Sequence, residues 1–293
     1  DGEAAAAADS RAYQAAPATL RSSVARDVPV PPAPFWGYRV VPRIDPRDVW
    51  PHLDLNSLFR FQWGGSKKRG DDYKRLIDEE FAPLLERLKR TTIDEQIVQP
   101  RVIYGYFPCN ADGNDLIVYD PADHARVAGR LSFPRQTTDE HLCIADYFAP
   151  AGSGRLDILP MQIVTVGSRV GDYCNELQKR GDYSTEYFVH GLAVTTAEAL
   201  AAYGNELIRV ELALPEGRGK RFSWGYGACP NLQDQEIMFR VLPGDQIGVT
   251  LTEGFQLSPD QSTAAFIVHH PEAKYFSTYQ HTGAKSGAAD AAG

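Results

Sequence analysis

The chain has 293 residues, of which 43% are hydrophobic and 11% aromatic, enough to bury one large core or two modest ones. Its net charge of −8 argues against a nucleic-acid surface, which needs a basic stripe facing the phosphates. No run approaches the roughly 18 apolar residues of a membrane span, and the opening residues lack the charged-then-apolar order of a secretory signal, so a cytoplasmic setting is expected. Cys109, Cys143, Cys174 and Cys229 are widely spaced and form no Cys-x-x-Cys pair. Reduced thiols are the expectation, and no zinc ribbon or redox dithiol is indicated.

Taken in chain order, residues 1–33 read as a flexible Ala/Pro-rich linker or terminus: "DGEAAAAADS" has no apolar stripe, and "VPVPPAP" is extended and semi-rigid. Residues 34–280 are expected to form a single domain, with 281–293 ("GAKSGAADAAG" and its lead-in) a disordered tail. Within the domain, "DDYKRLIDEEFAPLLERLKR" places Tyr73, Leu76, Ile77, Phe81, Leu84, Leu85 and Leu88 on one helical face, with Pro83 kinking the helix or starting a second one. "RVIYGYFPCN", "DLIVYD" and "DILPMQIVTVG" are strand-like, the first two joined by a hairpin turn at "ADGND". A long helix is expected over about 183–209, and "MFRVL" suggests a short one. "IGVTLTEGFQLSP" and "STAAFIVHHP" read as two long strands joined near "PDQS". Helices and strands mix without regular βαβ alternation, which predicts an α+β fold with a mainly antiparallel sheet.

Several constellations can be weighed for chemistry. There is no Gly-x-Gly-x-x-Gly turn between a strand and a helix, so the standard nucleotide cradle is absent. Glu186 and His190 stand four apart on the long helix, but no third metal ligand is in view and an intrahelical hydrogen bond is the simpler reading. The adjacent His269 and His270 at a strand end point to opposite faces, which disfavours a shared metal. Glu198 shares a helix face with small and apolar residues and needs a partner there, either a salt bridge to a neighbouring loop or a ligand. Cys229 has no adjacent base and reads as a packed structural thiol. Asp54, in "HLDLNSLFRFQWGG", reads as the N-cap of a helix opening at Leu55, the alternative being a contact with a cationic ligand. The run "RFSWGYGACPNLQDQ" at 221–235 follows neither period and reads as an ordered loop shaped around something.

That loop resembles the Arg-x-x-x-Gly-Tyr and Ala-Cys-Pro signature of the activation domain of cobalamin-dependent methionine synthase. Other segments are similar to that family in the same order: "PPAPFWGYRVV", "HLDLNSLFRFQWGG", "YFPCNADGNDLIVYD", "LSFPRQ", "CIADYFAP", "HGLAVTTAEALAAY", "IGVTLTEGFQLSP" and "HHPEAKYF". Together they extend over residues from about 33 to about 278. The resemblance implies a curved α+β domain, with 34–280 binding S-adenosylmethionine. Its implied role is to present the methyl group to cobalamin held by a partner domain or chain. An electron from flavodoxin or a similar reductase would permit the reductive methylation that reactivates the enzyme of methionine biosynthesis. The Asp-x-His-x-x-Gly signature of the cobalamin module and the cysteines of a homocysteine-binding zinc site are missing, so only the repair activity is implied.

The resemblance also implies residue roles. Arg221 would hold the ligand carboxylate and Asp54 its ammonium. The backbone around Ser223, Gly225 and Gly227 would approach the adenosine, and Tyr275 and Phe276 would line its pocket. Tyr226 would sit near the cobalt face as the residue closest to the chemistry, and Glu198 would support the ligand. Some relatives carry tyrosine where this chain has Phe276, which keeps the stacking surface but cannot offer a hydroxyl. A non-catalytic docking module that recruits the reductase is the alternative; a free-standing methyltransferase is disfavoured by the missing glycine-rich cradle.

Overall fold

The computed structural model describes residues 20–137 and 140–278. Nine strands are described: β1 (Gly37–Val41), β2 (Arg101–Asp112), β3 (Asp115–Tyr119), β4 (Val127–Ser132), β5 (Asp157–Thr165), β6 (Lys220–Ser223), β7 (Thr250–Leu251), β8 (Leu257–Ser258) and β9 (Ser262–Val268). The helices are α1 (Pro46–Val49), α2 (Leu55–Ser57), α3 (Gly70–Leu76), α4 (Ala82–Asp94), α5 (Arg169–Lys179), α6 (Tyr183–Glu211) and α7 (Gln235–Val241). The main sheet runs β4-β3-β2-β5-β9-β6, with β1 also on β2, and every pairing is antiparallel. The expected α+β class with an antiparallel sheet is what forms.

Strand β2 is the spine. Its first half pairs β1 (Val41↔Val102 to Gly37↔Tyr106) and its second half pairs β3 on the same edge, while β5 covers the other edge from Arg101↔Thr165 to Cys109↔Asp157. Alternation then sorts side chains to two faces. Ile103, Phe107, Leu159 and Met161 join Phe222, Trp224, Met238 and Phe266 in one core, whereas Val102, Tyr104, Tyr106, Val164 and Ile267 pack against α4 and α6 in the other. With both faces covered, β2 and β5 read as nearly continuous apolar runs, which is why they were legible as strands.

Helix α6 is capped by Asp182, whose carboxylate accepts from Thr185 N at 3.1 Å, and it lies close on the sheet because its inner face is small. A Cβ at Gly204 would stand 2.3 Å from Gln162 Oε1, and Gln162 Nε2 donates to Ala201 O at 2.9 Å. Gly191 plays the matching role on another side: a Cβ there would be 3.0 Å from Trp63 Cδ1. The segment 50–63 therefore lies along α6, with Trp63 Nε1 donating to Phe188 O at 3.1 Å.

Pro83 sits in the first turn of α4, where a missing N–H costs nothing, and a wide π-helical turn over Ile77–Phe81 joins α3 to α4. The two long strands expected near the C-terminus are corrected: only β9 is long. "TLTEGFQLS" folds on itself as the short pair β7–β8, because Thr252 N meets Gln256 O at 2.8 Å and Phe255 turns with φ +60°.

Residues 1–19 and 279–293, which carry most of the expected leader and tail, lie outside the described residues. Residues 20–33, the remainder of the expected linker, pack on the domain: Val24 is buried in the first core, and Ser22 Oγ and Arg26 Nη2 each donate to the Asp146 carboxylate at 2.7 Å. Asp146 is itself buried in a forked pair with the equally buried Arg135, whose Nη2 lies 2.8 Å from Oδ1. Removing one member of such a pair strands a charge without solvent. Asp146→Ala is therefore expected to lower unfolding free energy by about 3–5 kcal/mol, read from urea denaturation. Gly191→Val should cost about 1–3 kcal/mol by the same measurement, since Trp63 has no room to retreat from the added methyls.

Candidate functional site

Strand β6 is the outer strand of the main sheet. It pairs with β9 through Arg221↔Ile267, Phe222↔Phe266 and Ser223↔Ala265, and among the described residues no strand covers its other edge. Alternation sends Phe222 into the first core, where it stacks on Phe266 at 5.8 Å. Arg221 consequently leaves the sheet on the opposite side, toward α6, and its Nη2 donates to Glu198 Oε2 at 3.0 Å. The other terminal nitrogen, Nη1, is buried and has no hydrogen-bond partner among the described residues. A guanidinium so held has one arm fixed and one arm unsatisfied.

Glu198 differs from the sequence expectation of a carboxylate enclosed by small residues. Its neighbours Ala197, Ala199 and Ala201 turn inward, while the Glu198 side chain is 57% exposed and meets Arg221. The salt-bridge alternative is the one the structure shows.

Beyond β6 the backbone closes a tight turn. Gly225, at φ +89°, donates its N–H to Cys229 O at 2.9 Å, and Cys229 N returns to Tyr226 O at 2.9 Å. Cys229 Sγ donates to Ser223 O at 2.9 Å, and burial pushes the thiol pKa up to about 12, so this cysteine fastens the loop as a structural thiol. The turn leaves Tyr226 at its tip, 69% exposed. Gly227 is required by close approach: a Cβ would stand 2.6 Å from Ser277 Oγ and 3.0 Å from Ser277 Cα. Thr278 N and Oγ1 donate to Gly227 O at 3.1 and 2.6 Å, and Gln136 Nε2 holds Ser277 O at 3.0 Å.

That clamp sets the 275–276 aromatics beside β6. Tyr275 and Phe276 lie 5.3 and 6.5 Å from the Phe222 ring between centroids, and Lys220 Nζ lies 5.8 Å from the centre of the Tyr275 ring. Phe276 is partly buried against the first core, whereas Tyr275 is 51% exposed. Arg221 with Glu198, and Tyr275 with Phe276, thus flank opposite sides of β6, with its unpaired edge and the Ser223–Gly227 backbone between them.

Asp54 caps α2: its Oδ1 accepts Ser57 N at 3.0 Å, as the N-cap reading predicts, and the residue is exposed. The segment carrying it runs antiparallel to α6, pinned where the His52 and Tyr203 rings lie 6.0 Å apart and where Trp63 meets Phe188 at 5.2 Å. Glu198 lies on α6 between these pins, five residues from Tyr203 or roughly 7 Å along the axis. The side-chain contact of Asp54 is its cap bond to Ser57 N.

Histidines expected to be non-ligating have other partners. His190 Nδ1 lies 3.5 Å from Gln261 Nε2, a contact in place of the expected bond to Glu186, while His269 pairs with Asp157 at 2.7 Å and His270 with Ala25 O at 2.8 Å. What the sequence could not signal is the clamp of Gln136, Ser277 and Thr278 on Gly227, since its hydrogen-bonded pairs are 51 and 141 residues apart and carry no motif.

The chain is similar to known proteins. The chain is 42% identical to methionine synthase of Mycobacterium tuberculosis (strain ATCC 25618 / H37Rv) over 284 residues, covering 87% of this chain and 24% of that protein. It is 39% identical to methionine synthase of Mycobacterium leprae (strain TN) with the same coverage. The chain thus spans about a quarter of the length of these relatives. The crystal structure of the MetH reactivation domain bound to AdoHcy superposes with a TM-score of 0.75 at 25% identity, covering 87% of this chain and 85% of that one. A family described as vitamin B12 dependent methionine synthase, activation domain, matches residues 66–284. With that match over most of the chain, and with relatives this similar, the chain belongs to the activation-domain family of vitamin B12 dependent methionine synthase.

Proposed function

We propose that the chain binds S-adenosylmethionine across the open edge of β6 and presents its methyl group to cobalamin carried by another module. The observation that carries this reading is the buried Nη1 of Arg221, without a partner among the described residues, beside the turn that leaves Tyr226 exposed at its tip. A similar solved domain is bound to AdoHcy, the product left when S-adenosylmethionine gives up its methyl.

In this reading the ligand carboxylate meets Arg221, where a planar guanidinium fork suits a planar anion and one arm is already fixed by Glu198. Asp54, with one oxygen engaged at its cap, offers the remaining carboxylate lone pairs to the ligand ammonium. The Ser223–Gly227 backbone approaches the adenosine, with Tyr275 and Phe276 supplying its apolar wall. Tyr226, exposed at the tip of the turn, faces the incoming cobalamin. Reduced cobalamin supplies the nucleophile when its module is docked, and the sulfonium leaves as a neutral thioether. The residues of this chain therefore orient the methyl group and exclude water, with no proton to move. Flavodoxin or a similar reductase is the proposed electron donor, and the cytoplasm the proposed setting.

Calorimetric titration with S-adenosylmethionine tests the reading. Arg221→Ala is expected to weaken binding by about 1.5–3 kcal/mol, or roughly 10- to 150-fold, with little change in stability. Unchanged affinity would remove Arg221 from the site. Gly227→Ala should also weaken binding, because its methyl pushes Ser277 and the adjoining aromatics away from the loop. Glu198→Gln should change stability by no more than about 1 kcal/mol, as befits an exposed pair.

A further inference from the structure

We infer that residues 20–30 are a docked strap that positions the aromatic segment of the ligand site, and that His270 is the residue joining the two. The inference rests on the reading given under Proposed function for what that site binds. Val24 anchors the strap in the first core, and Ser22 and Arg26 fix it to Asp146. Arg155 fastens its backbone from outside, donating to Arg26 O at 2.7 Å and Val28 O at 3.2 Å.

Between these anchors, Ala25 meets the chain that leads to the aromatics. Its carbonyl accepts His270 Nε2–H at 2.8 Å, and its N–H donates to Glu272 Oε1 at 3.3 Å. His270 Nδ1 in turn accepts Glu272 N–H at 3.0 Å. Donating at Nε2 and accepting at Nδ1 assigns one neutral tautomer, fully used on both sides. Ala273 N then closes a turn onto His270 O at 3.1 Å, and Lys274 pairs with Glu140. Two residues on, Tyr275 and Phe276 lie between this fastening and the Gly227 clamp, where Thr278 N meets Gly227 O at 3.1 Å. The aromatic pair is a short span held at both ends, and at the first end the strap acts together with Lys274–Glu140 and with Arg218, which donates to His269 O at 3.0 and 2.7 Å. Releasing the strap loosens that end without touching Arg221 or the loop.

The experiment is hydrogen exchange of the full chain, followed by calorimetric titration with AdoHcy. The double variant Ser22→Ala/Arg26→Ala leaves the Arg135–Asp146 pair in place, so the fold is retained. It is expected to speed exchange at 270–278 while β2 and β5 stay protected, and to weaken AdoHcy by about 5-fold or more. By reciprocity, saturating AdoHcy should slow exchange at residues 22–28 in the parent chain by the same factor. His270→Ala should reproduce the double variant, whereas His270→Gln, which can still donate to Ala25 O, should restore most of the protection. Unchanged exchange at 270–278 in the double variant overturns the inference. So does faster exchange there with unaltered AdoHcy affinity, which would leave the strap a purely structural tie. A parent chain that does not bind AdoHcy at all overturns the ligand-site reading and the positioning role with it, while the exchange result separately decides whether strap and segment are coupled.

Discussion

Strand alternation over a single step, from Arg221 to Phe222, is the constraint on which the site depends. Phe222 is drawn into the core by its stack on Phe266, and this leaves Arg221 no choice but the opposite side of β6. One residue of slip in the β6–β9 register would bury the guanidinium among Phe266 and Trp224 and expose the phenyl ring. The large apolar area buried by Phe222 thus holds a charge in position that would be costly to bury unaided. Because β6 is the outer strand, the same register leaves an unpaired backbone edge beside that charge.

Small residues govern the rest of the geometry. Gly204 and Gly191 let α6 approach the sheet on one side and the 50–63 segment on the other. Gly227 lets the chain at Ser277 lie on the loop, which brings Tyr275 and Phe276 to β6. These glycines act through what they do not carry. Their role is fixed by the neighbours a Cβ would meet, and those neighbours come from distant parts of the sequence.

This explains what could be read from the sequence. Strands β2, β3, β5 and helix α6 announce themselves through burial on their faces and through turn residues at their ends, and the N-cap at Asp54 through its position before Leu55. The β7–β8 pair is hidden in the sequence because alternation in "TLTEGFQLS" suits a long strand as well as a hairpin, and only the backbone of Thr252–Gln256 decides between them. The exposure of Glu198 is hidden because its helical neighbours are small, and small neighbours on α6 mean that the backbone approaches the sheet, not that every side chain there is enclosed. The packing of residues 20–33 was illegible for another reason. Their Ala/Pro-rich lead-in has the composition of a linker, and the partners that fasten Ser22 and Arg26, above all Asp146, lie more than a hundred residues away.

The pairing of Arg221 with Glu198 bears on how a carboxylate ligand could be accepted on an open surface. Glu198 is largely exposed, so the pair contributes no more than about 1 kcal/mol to stability and does not lock the guanidinium against a competitor. The buried Nη1 has the opposite balance, since an unsatisfied donor shielded from water carries a desolvation penalty of about 1–3 kcal/mol that a ligand carboxylate would relieve. In the proposed binding mode Glu198 holds one arm of Arg221 and leaves the other for the ligand carboxylate. A neutral residue at 198 would let the side chain rotate, and the ligand would then bear the entropic cost of fixing it. On that argument the glutamate matters because it is weakly bound: a tighter partner would occupy the cation, and none at all would leave it disordered.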